Sequence, residues 1–277
     1  MNDRTTAPLR WLHDMPADDY HAVDALSNSA LSKLSTSPFH YWSEYLAPNR
    51  PKREPTPSML AGTLAHCAVL EPGQLFNRYA VKPEGLDTRT KEGKAWAATV
   101  PGDCTVISAE QKATSDAQRA AVIAVPELAS VLATGHAETS VFWTDSVEGL
   151  HCKCRPDWVH MLADGRAVLF DLKTTQDPSP REFAKSVWSY GYHRQAAHYT
   201  AGFEAATGIE VAAFLFGAVS SAYPFIAVPY LLDDDAMQRG REEVRRLLRL
   251  YAACCETDTW PAYGEGVQVL SLPAWAK

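Results

Sequence analysis

No run of about 18 or more apolar residues occurs in this sequence, which excludes a conventional membrane-spanning helix. The first residues, MNDRTTAPLRWLHDMPADDYHA, lack an apolar signal core, so the expectation is a cytoplasmic protein with reduced thiols and no membrane partner. A surplus of positive charge is missing too: 26 Lys and Arg stand against 33 Asp and Glu, a formal charge of −7. That argues against coating nucleic acid through bulk charge, while leaving room for a local basic channel. Cysteine is sparse: Cys67, Cys104, Cys152, Cys154, Cys254 and Cys255. A disulfide scaffold suits a chain of this length poorly without a signal peptide. Neither Cys152-x-Cys154 nor Cys254-Cys255 has the CxxC spacing of a zinc ribbon. Repeats and low-complexity tracts are absent as well. What remains is 277 residues, 46% hydrophobic and 21% charged, an ordinary balance for a globular protein with a sizeable core.

The patterning is helical at both ends and strand-like in the middle. Residues 25–47 predict two short helices, the first capped by Ser27 or Ser29 and the second opened by Ser37-Pro38. PNRPKREPTP (48–57) reads as a loop, 58–72 as a helix ended by Pro72, 84–94 as exposed polar chain and 108–124 as a helix. The period then changes. Residues 138–144 and 149–161 alternate as strands do, Asp164-Gly165 is a hairpin turn signal, and 166–175 is the next strand. A long helix over 180–206 follows, then strands at 211–219 and 223–230. Asp233–Asp235 cap an Arg-rich helix running to about Cys255. Helices around a short central sheet make a mixed α/β protein.

The chemistry concentrates in Arg155-Pro156-Asp157, thirteen further residues, and Asp171-Leu172-Lys173. On a strand, Asp171 and Lys173 share one face while Leu172 points to the core. The same alternation puts Lys153, Arg155 and Asp157 together, opposite Cys152 and Cys154, which suit buried packing. If the hairpin pairs these strands, two carboxylates and a lysine converge, which is what phosphodiester hydrolysis needs. Carboxylates hold a hard cation, the cation polarises phosphate and activates water, and a lysine stabilises developing negative charge. A bare match of this kind arises often by chance, and alone it reads as solvated surface charge. Asp171 follows the apolar run AVLF, where a solvated charge is less expected. Gln195 and Tyr199 share a helix face at a spacing of four. By themselves they are a semi-polar face, and His66 in LAGTLAHCAVLEP is by itself a core histidine. Gly62, one turn earlier, suggests close helix packing.

Taken in order, LSNSALSKLSTSPFHYW, MLAGTLAHCAVLEP, DTRTKEGKAW, ETSVFWTD, GLHCKCRPDW, DLKTTQDPSPREFAKSVWSYGYHRQAAHY and LSLPAW span nearly the whole chain. They resemble the C-terminal nuclease domain of RecE (exonuclease VIII) and its phage and prophage relatives. The resemblance implies one PD-(D/E)XK (restriction-endonuclease-like) α/β domain over residues 1–277. It would have a central mixed β-sheet flanked by helices and helical additions at both ends. It further implies a Mg²⁺-dependent exonuclease, Mn²⁺ being a possible substitute, that degrades one strand of linear double-stranded DNA from its 5′ end. The 3′ single strand left behind passes to a single-strand annealing protein, and relatives form rings, which implies a homo-oligomer, a tetramer. By position, His66, Asp157 and Asp171 match the family's metal ligands, with the Leu172 carbonyl as a further ligand. Lys173 matches the catalytic lysine, Gln195 and Tyr199 match its QxxxY motif, and Glu138 is a further acidic candidate for the metal. Some relatives carry an iron–sulfur cluster on a closely spaced late cysteine trio, which this chain lacks, so no cluster is expected. The competing readings are an endonuclease or single-strand nuclease on the same core, and a non-catalytic DNA-binding recombination accessory protein.

DNA binding requires cations, and three local patches supply them. They are Arg50-Pro-Lys52-Arg53, then Arg89-Thr-Lys91 with Lys94, and then the stretch 239–249 with five arginines against Glu242 and Glu243. Arg89 and Lys91, with Arg155 beside Asp157, are the expected DNA contacts. For each patch a solvated charged surface is the plain alternative.

Overall fold

The computed structural model describes residues 10–13, 15–51, 54–264 and 266–272. The strands are β1 (Arg10–Leu12), β2 (Tyr79–Val81), β3 (Thr105–Ile107), β4 (His136–Ala137), β5 (Ser140–Thr144), β6 (His151–Cys154), β7 (Trp158–Met161), β8 (Ala167–Thr175), β9 (Val211–Ser220) and β10 (Ala227–Leu231). The helices are α1 (Ala17–Ala22), α2 (Asn28–Thr36), α3 (Pro38–Tyr41), α4 (Pro57–Leu70), α5 (Leu75–Arg78), α6 (Lys91–Ala97), α7 (Ala109–Ile123), α8 (Pro126–Leu132), α9 (Pro180–Tyr190), α10 (Tyr192–Thr207) and α11 (Asp234–Thr257). The central sheet has the order β10-β9-β8-β7-β4, with β8 and β9 parallel and the other pairs antiparallel. A second sheet, β1-β5-β6, and a parallel pair, β2-β3, complete the strands among the described residues.

β8 occupies the middle of the main sheet and is covered on both sides, which is why its sequence is a nearly unbroken apolar run rather than an alternation. Leu169 enters the cluster formed with Ala196, Ala197 and Phe203 of α10. Phe170 and Leu172 point the other way, into a cluster with Val69 and Leu70 of α4, Val122 of α7 and Leu128 of α8. Asp171 and Lys173 therefore face α10. Start signals act where the side chains predict: Ser27 Oγ accepts from the Ala30 N–H at 3.2 Å, Ser37 caps α3, and Asp233 caps α11.

Three sequence expectations need correction. The stretch 149–161 is not one strand. Pro156, unable to donate to a ladder, separates β6 from β7, and the two belong to different sheets. The 138–144 stretch likewise begins outside its strand. Glu138 has φ 49° and sits between β4 and β5, which also lie in different sheets. Third, the helix expected over 180–206 breaks at Gly191, whose φ of 68° is left-handed. A Cβ there would also lie 2.5–2.9 Å from the Arg194 guanidinium and force it to shift, but it is the left-handed φ that calls for glycine. Gly62, by contrast, leaves ordinary room: the nearest atom to an added Cβ is Thr174 Oγ1 at 3.8 Å. It marks no close approach.

Candidate active site

Asp157, one residue before β7, is buried, and its Oδ2 accepts the Leu172 backbone N–H of β8 at 2.7 Å. Its backbone carbonyl accepts the Glu138 N–H at 2.9 Å, which ties in the turn between β4 and β5. From the other side α4 brings His66, with Nδ1 3.3 Å from Asp157 Oδ2. One ligand atom from each of His66, Glu138 and Asp157 lies within 4.8 Å of the other two. Next to this trio a second group forms around Asp171, which is 2% exposed. Lys173 Nζ ion-pairs with Asp171 Oδ1 and donates to Gln195 Oε1 at 2.9 Å. Gln195 Nε2 donates to Asp171 Oδ2. The Gln195 amide thus bridges acid and lysine, and the Tyr192 ring covers the lysine at 4.6 Å.

The electrostatics follow from crowding carboxylates in a poorly solvated cleft. Burial, then Asp171, pushes Asp157 well above the ordinary carboxylate range. Burial, then Asp157, raises Glu138 to about 7, with Arg155 and His66 opposing. Burial lowers His66, so the ring stays neutral with a lone pair to offer. Burial alone would pull Lys173 down, but Asp171 and Asp157 outweigh it and the ammonium is held more firmly than usual. Burial also raises the Tyr199 phenol well above its ordinary value, with Tyr20 and Asp171 adding to it.

Residues 27–273 match the family described as a PDDEXK-like domain of unknown function (DUF3799). This chain belongs to that family. A crystal structure of a protein from Eubacterium rectale, provisionally described as an exonuclease, aligns over 94% of this chain and 96% of its own. The TM-score is 0.58 at 14% identity, a likeness of fold. A second solved structure, SSO0001, covers 51% of this chain and 67% of its own at 16% identity, and its TM-score of 0.29 carries no argument. No curated protein matches the sequence. The mixed sheet flanked by helices is the restriction-endonuclease-like core that the PDDEXK family implies.

Of the residues singled out in this PDDEXK chain, the structure brings His66, Glu138, Asp157, Asp171, Lys173 and Gln195 into one cleft. The Leu172 backbone is tied to the same cleft through its N–H, which bonds to Asp157 Oδ2. Tyr199 makes no hydrogen bond to these residues among the described ones; it packs against the core, its ring 6.1 Å from that of Phe214. Arg155 lies in the cleft wall rather than on open surface. Its Nε is 2.9 Å from Glu138 Oε2, an ion pair without hydrogen-bond alignment, and its Nη2 donates to the Met15 carbonyl. Lys153 does not join Asp157 at all. It is buried, and its Nζ donates to the carbonyls of Tyr20, His21 and Val23. Arg89 is highly exposed and paired with Asp87 at 2.8 Å, while Lys91 opens α6 on the surface, both away from contacts with the cleft residues. Arg50 donates to the Tyr45 carbonyl, and Lys52 and Arg53 lie outside the described residues. Tyr192 was missed from sequence, although the Gly191 that sets it at a helix start was a visible signal.

The donor set fits a hard divalent cation. It offers two carboxylates and a neutral imidazole at mutually short range, and Arg155 and Lys173 offset the mutual repulsion of the acids only in part, since Glu138 and Asp157 both stay raised. Asp171 Oδ1 adds a buried oxygen with no hydrogen-bond partner there.

Proposed function

We propose that this protein is a metal-dependent exodeoxyribonuclease. It hydrolyses linear double-stranded DNA 5′ to 3′ and leaves a 3′ single strand for recombination. The observation that carries the reading is the meeting of Asp157, Asp171 and Lys173 with His66 and Glu138 at one end of the central sheet. The PDDEXK family and the exonuclease description of the Eubacterium rectale protein support nuclease chemistry. Polarity and duplex preference rest on the resemblance to RecE-type enzymes, as do a tetrameric ring and an annealing-protein partner.

His66, Glu138 and Asp157 would hold Mg²⁺ (or Mn²⁺), with Asp171 and the Leu172 carbonyl next to them. When bound, such an ion supplies Lewis-acid polarisation of the phosphate and lowers the pKa of water. Lys173 works as a cation, not a base: Asp171 and Asp157 keep it protonated. It stabilises charge developing on the phosphate, and Gln195 fixes its direction. Glu138, raised to about 7 by burial and Asp157, has to give up its proton to hold the cation, so uptake of the ion should release a proton near neutrality.

The test is digestion of linear duplex labelled at either end, with Mg²⁺, with EDTA and with Lys173→Ala, beside a closed circle. Metal-dependent release from 5′ ends, lost in the variant and sparing the circle, is expected. Cleavage of the circle would discard exonuclease action, and no metal-dependent cleavage would discard the nuclease reading. Light scattering giving only a monomer mass would remove the ring.

A further inference from the structure

Two exposed aromatic rings stand just outside the cleft, and no step proposed above uses them. Trp188 and Tyr190, at the end of α9, are 66% and 65% exposed. A chain of rings links Tyr190 to the catalytic lysine: Tyr192 covers Lys173, and Tyr190 lies 5.6 Å from Tyr192. Trp188 is not a loose surface ring. It stacks on His193 at 5.5 Å with the planes 8° apart. His193 is pinned in turn, Nδ1 at 3.2 Å from the Val187 carbonyl and Nε2 at 3.1 Å from Glu243. One face of the indole is therefore covered and held, and the exposed area belongs to the other.

These rings border a groove of about 1070 Å³ between α2, the end of α9 and α11. Arg239 and Arg246, two turns apart on α11, line it and make no ion pair among the described residues. The other arginines of α11 are engaged: Arg245 grips Asp145 with two hydrogen bonds, Arg249 reaches Glu148, and Arg241 bonds Gln238. Elsewhere in the groove Lys33 pairs with Glu44, and Arg194 with Glu243. Glu242 is the remaining acid and accepts from Gln238. Tyr190 and Ser189 also line a second groove that runs to Thr174 and Tyr192, so the two meet at the tip of α9.

We infer that the groove between α2, α9 and α11 binds single-stranded DNA that extends beyond the catalytic cleft, with bases stacked on Trp188 and Tyr190 and phosphates held by Arg239 and Arg246. Unpaired bases offer the π-faces that a pre-oriented ring can stack on, and duplex bases do not. Unpaired arginines suit phosphates. The inference rests on the nuclease reading for its placement, but its test does not.

Binding of a fluorescent oligothymidylate is followed by anisotropy in EDTA, where no metal-dependent cleavage occurs, against a blunt duplex of equal length. Trp188→Ala should weaken binding about tenfold, as loss of one stacking platform does, and Trp188→Phe should restore most of it. Arg239→Ala with Arg246→Ala should flatten the log–log salt dependence by about 1.4, two contacts at about 0.7 each. Unchanged affinity in these variants would overturn the proposal, as would equal loss for the duplex. Oligothymidylate binding in EDTA, together with no cleavage of linear duplex by the native protein in Mg²⁺, would sink the nuclease reading and keep the groove. Cleavage without groove-dependent binding would do the reverse.

Discussion

Replacing Gln195 by Leu keeps the side-chain volume and removes one amide that touches both Asp171 and Lys173. Asp171 Oδ1 already has no hydrogen bond among the described residues, so the change leaves a carboxylate 2% exposed with only its ion pair to Lys173. An unsatisfied buried acceptor costs about 1–3 kcal/mol, and Lys173 loses a neutral acceptor while keeping Asp171 and the Tyr192 face. The expected loss is about 2 kcal/mol, read in thermal unfolding as about 4–8 °C for a chain of this size. Activity should fall further than stability explains. With Lys173 free to rotate, turnover should drop about 10–100-fold while KM changes little, the usual effect of losing a group that orients a metal-site residue. Gln195→Glu sharpens the test by placing a second carboxylate against Asp171. It should destabilise more at neutral pH and recover on acidification, when one shared proton relieves the repulsion. Unfolding within 1 °C of the native protein together with turnover within twofold would refute the bridging role.

Lys153→Met retains the buried stem but strands the Tyr20, His21 and Val23 carbonyls, and should cost about 3 kcal/mol in denaturant unfolding. Cleavage per folded molecule should be unchanged, and a selective loss of turnover would return Lys153 to the site. His198 is buried and held down to about 4, so it is neutral in the folded protein and protonates readily only when unfolded. Because the folded value lies below the unfolded one, the penalty is absent above pH 6.5 and grows as pH falls towards 4, reaching about 3 kcal/mol. His198→Gln should flatten the stability–pH curve in that window, and a parallel curve would contradict this. Calorimetry should show Mn²⁺ uptake weakened at least tenfold by Asp157→Asn and by His66→Ala, and Mn²⁺ at a hundred times its Kd should stabilise the native protein by about 2.7 kcal/mol. Equal affinity in all three proteins would empty the proposed metal site.

Strand β8 was legible because burial on both faces leaves a signature, AVLF and then Leu172, that survives without any knowledge of its partners. Asp164-Gly165 likewise announced the hairpin, and Gly165 adopts φ 86° there. The division of strands between two sheets was not legible. Alternation shows that Cys152 and Cys154 are inward-facing but not which layer they face, and β6 ends against β5 while β7 ends against β8. Lys153 was misplaced for that reason: its partners, the carbonyls of residues 20, 21 and 23, lie some 130 positions away and carry no side-chain pattern. Spacing alone left Gln195 on a semi-polar helix face, and it was singled out by its match to the QxxxY motif; its role as a fork between Asp171 and Lys173 depends on the break at Gly191. A continuous helix from 180 to 206 would aim it elsewhere.

The β7–β8 ladder also accounts for the order Pro-Asp before β7. Pairing between the two strands stops at Trp158 opposite Phe170. In an antiparallel pair the N–H groups two residues apart on β8 point to the same edge, so the Leu172 N–H faces a partner strand that has ended. A buried orphan N–H would cost free energy. Pro156 guarantees that the ladder cannot continue, since it brings no donor. The Asp157 side chain supplies the missing acceptor at 2.7 Å. The bond that satisfies the strand end also fixes the carboxylate one residue from Asp171 along the sheet edge, with His66 against its oxygen. Asp157→Ala should therefore do two separable things: remove a proposed metal ligand and leave the Leu172 N–H unpaired. Asp157→Asn keeps an acceptor for the N–H and loses only the charge. If the asparagine variant unfolds as early as the alanine one, the anchoring argument fails. If it folds normally but binds no Mn²⁺, the strand-end and metal roles of this residue are two, and both stand.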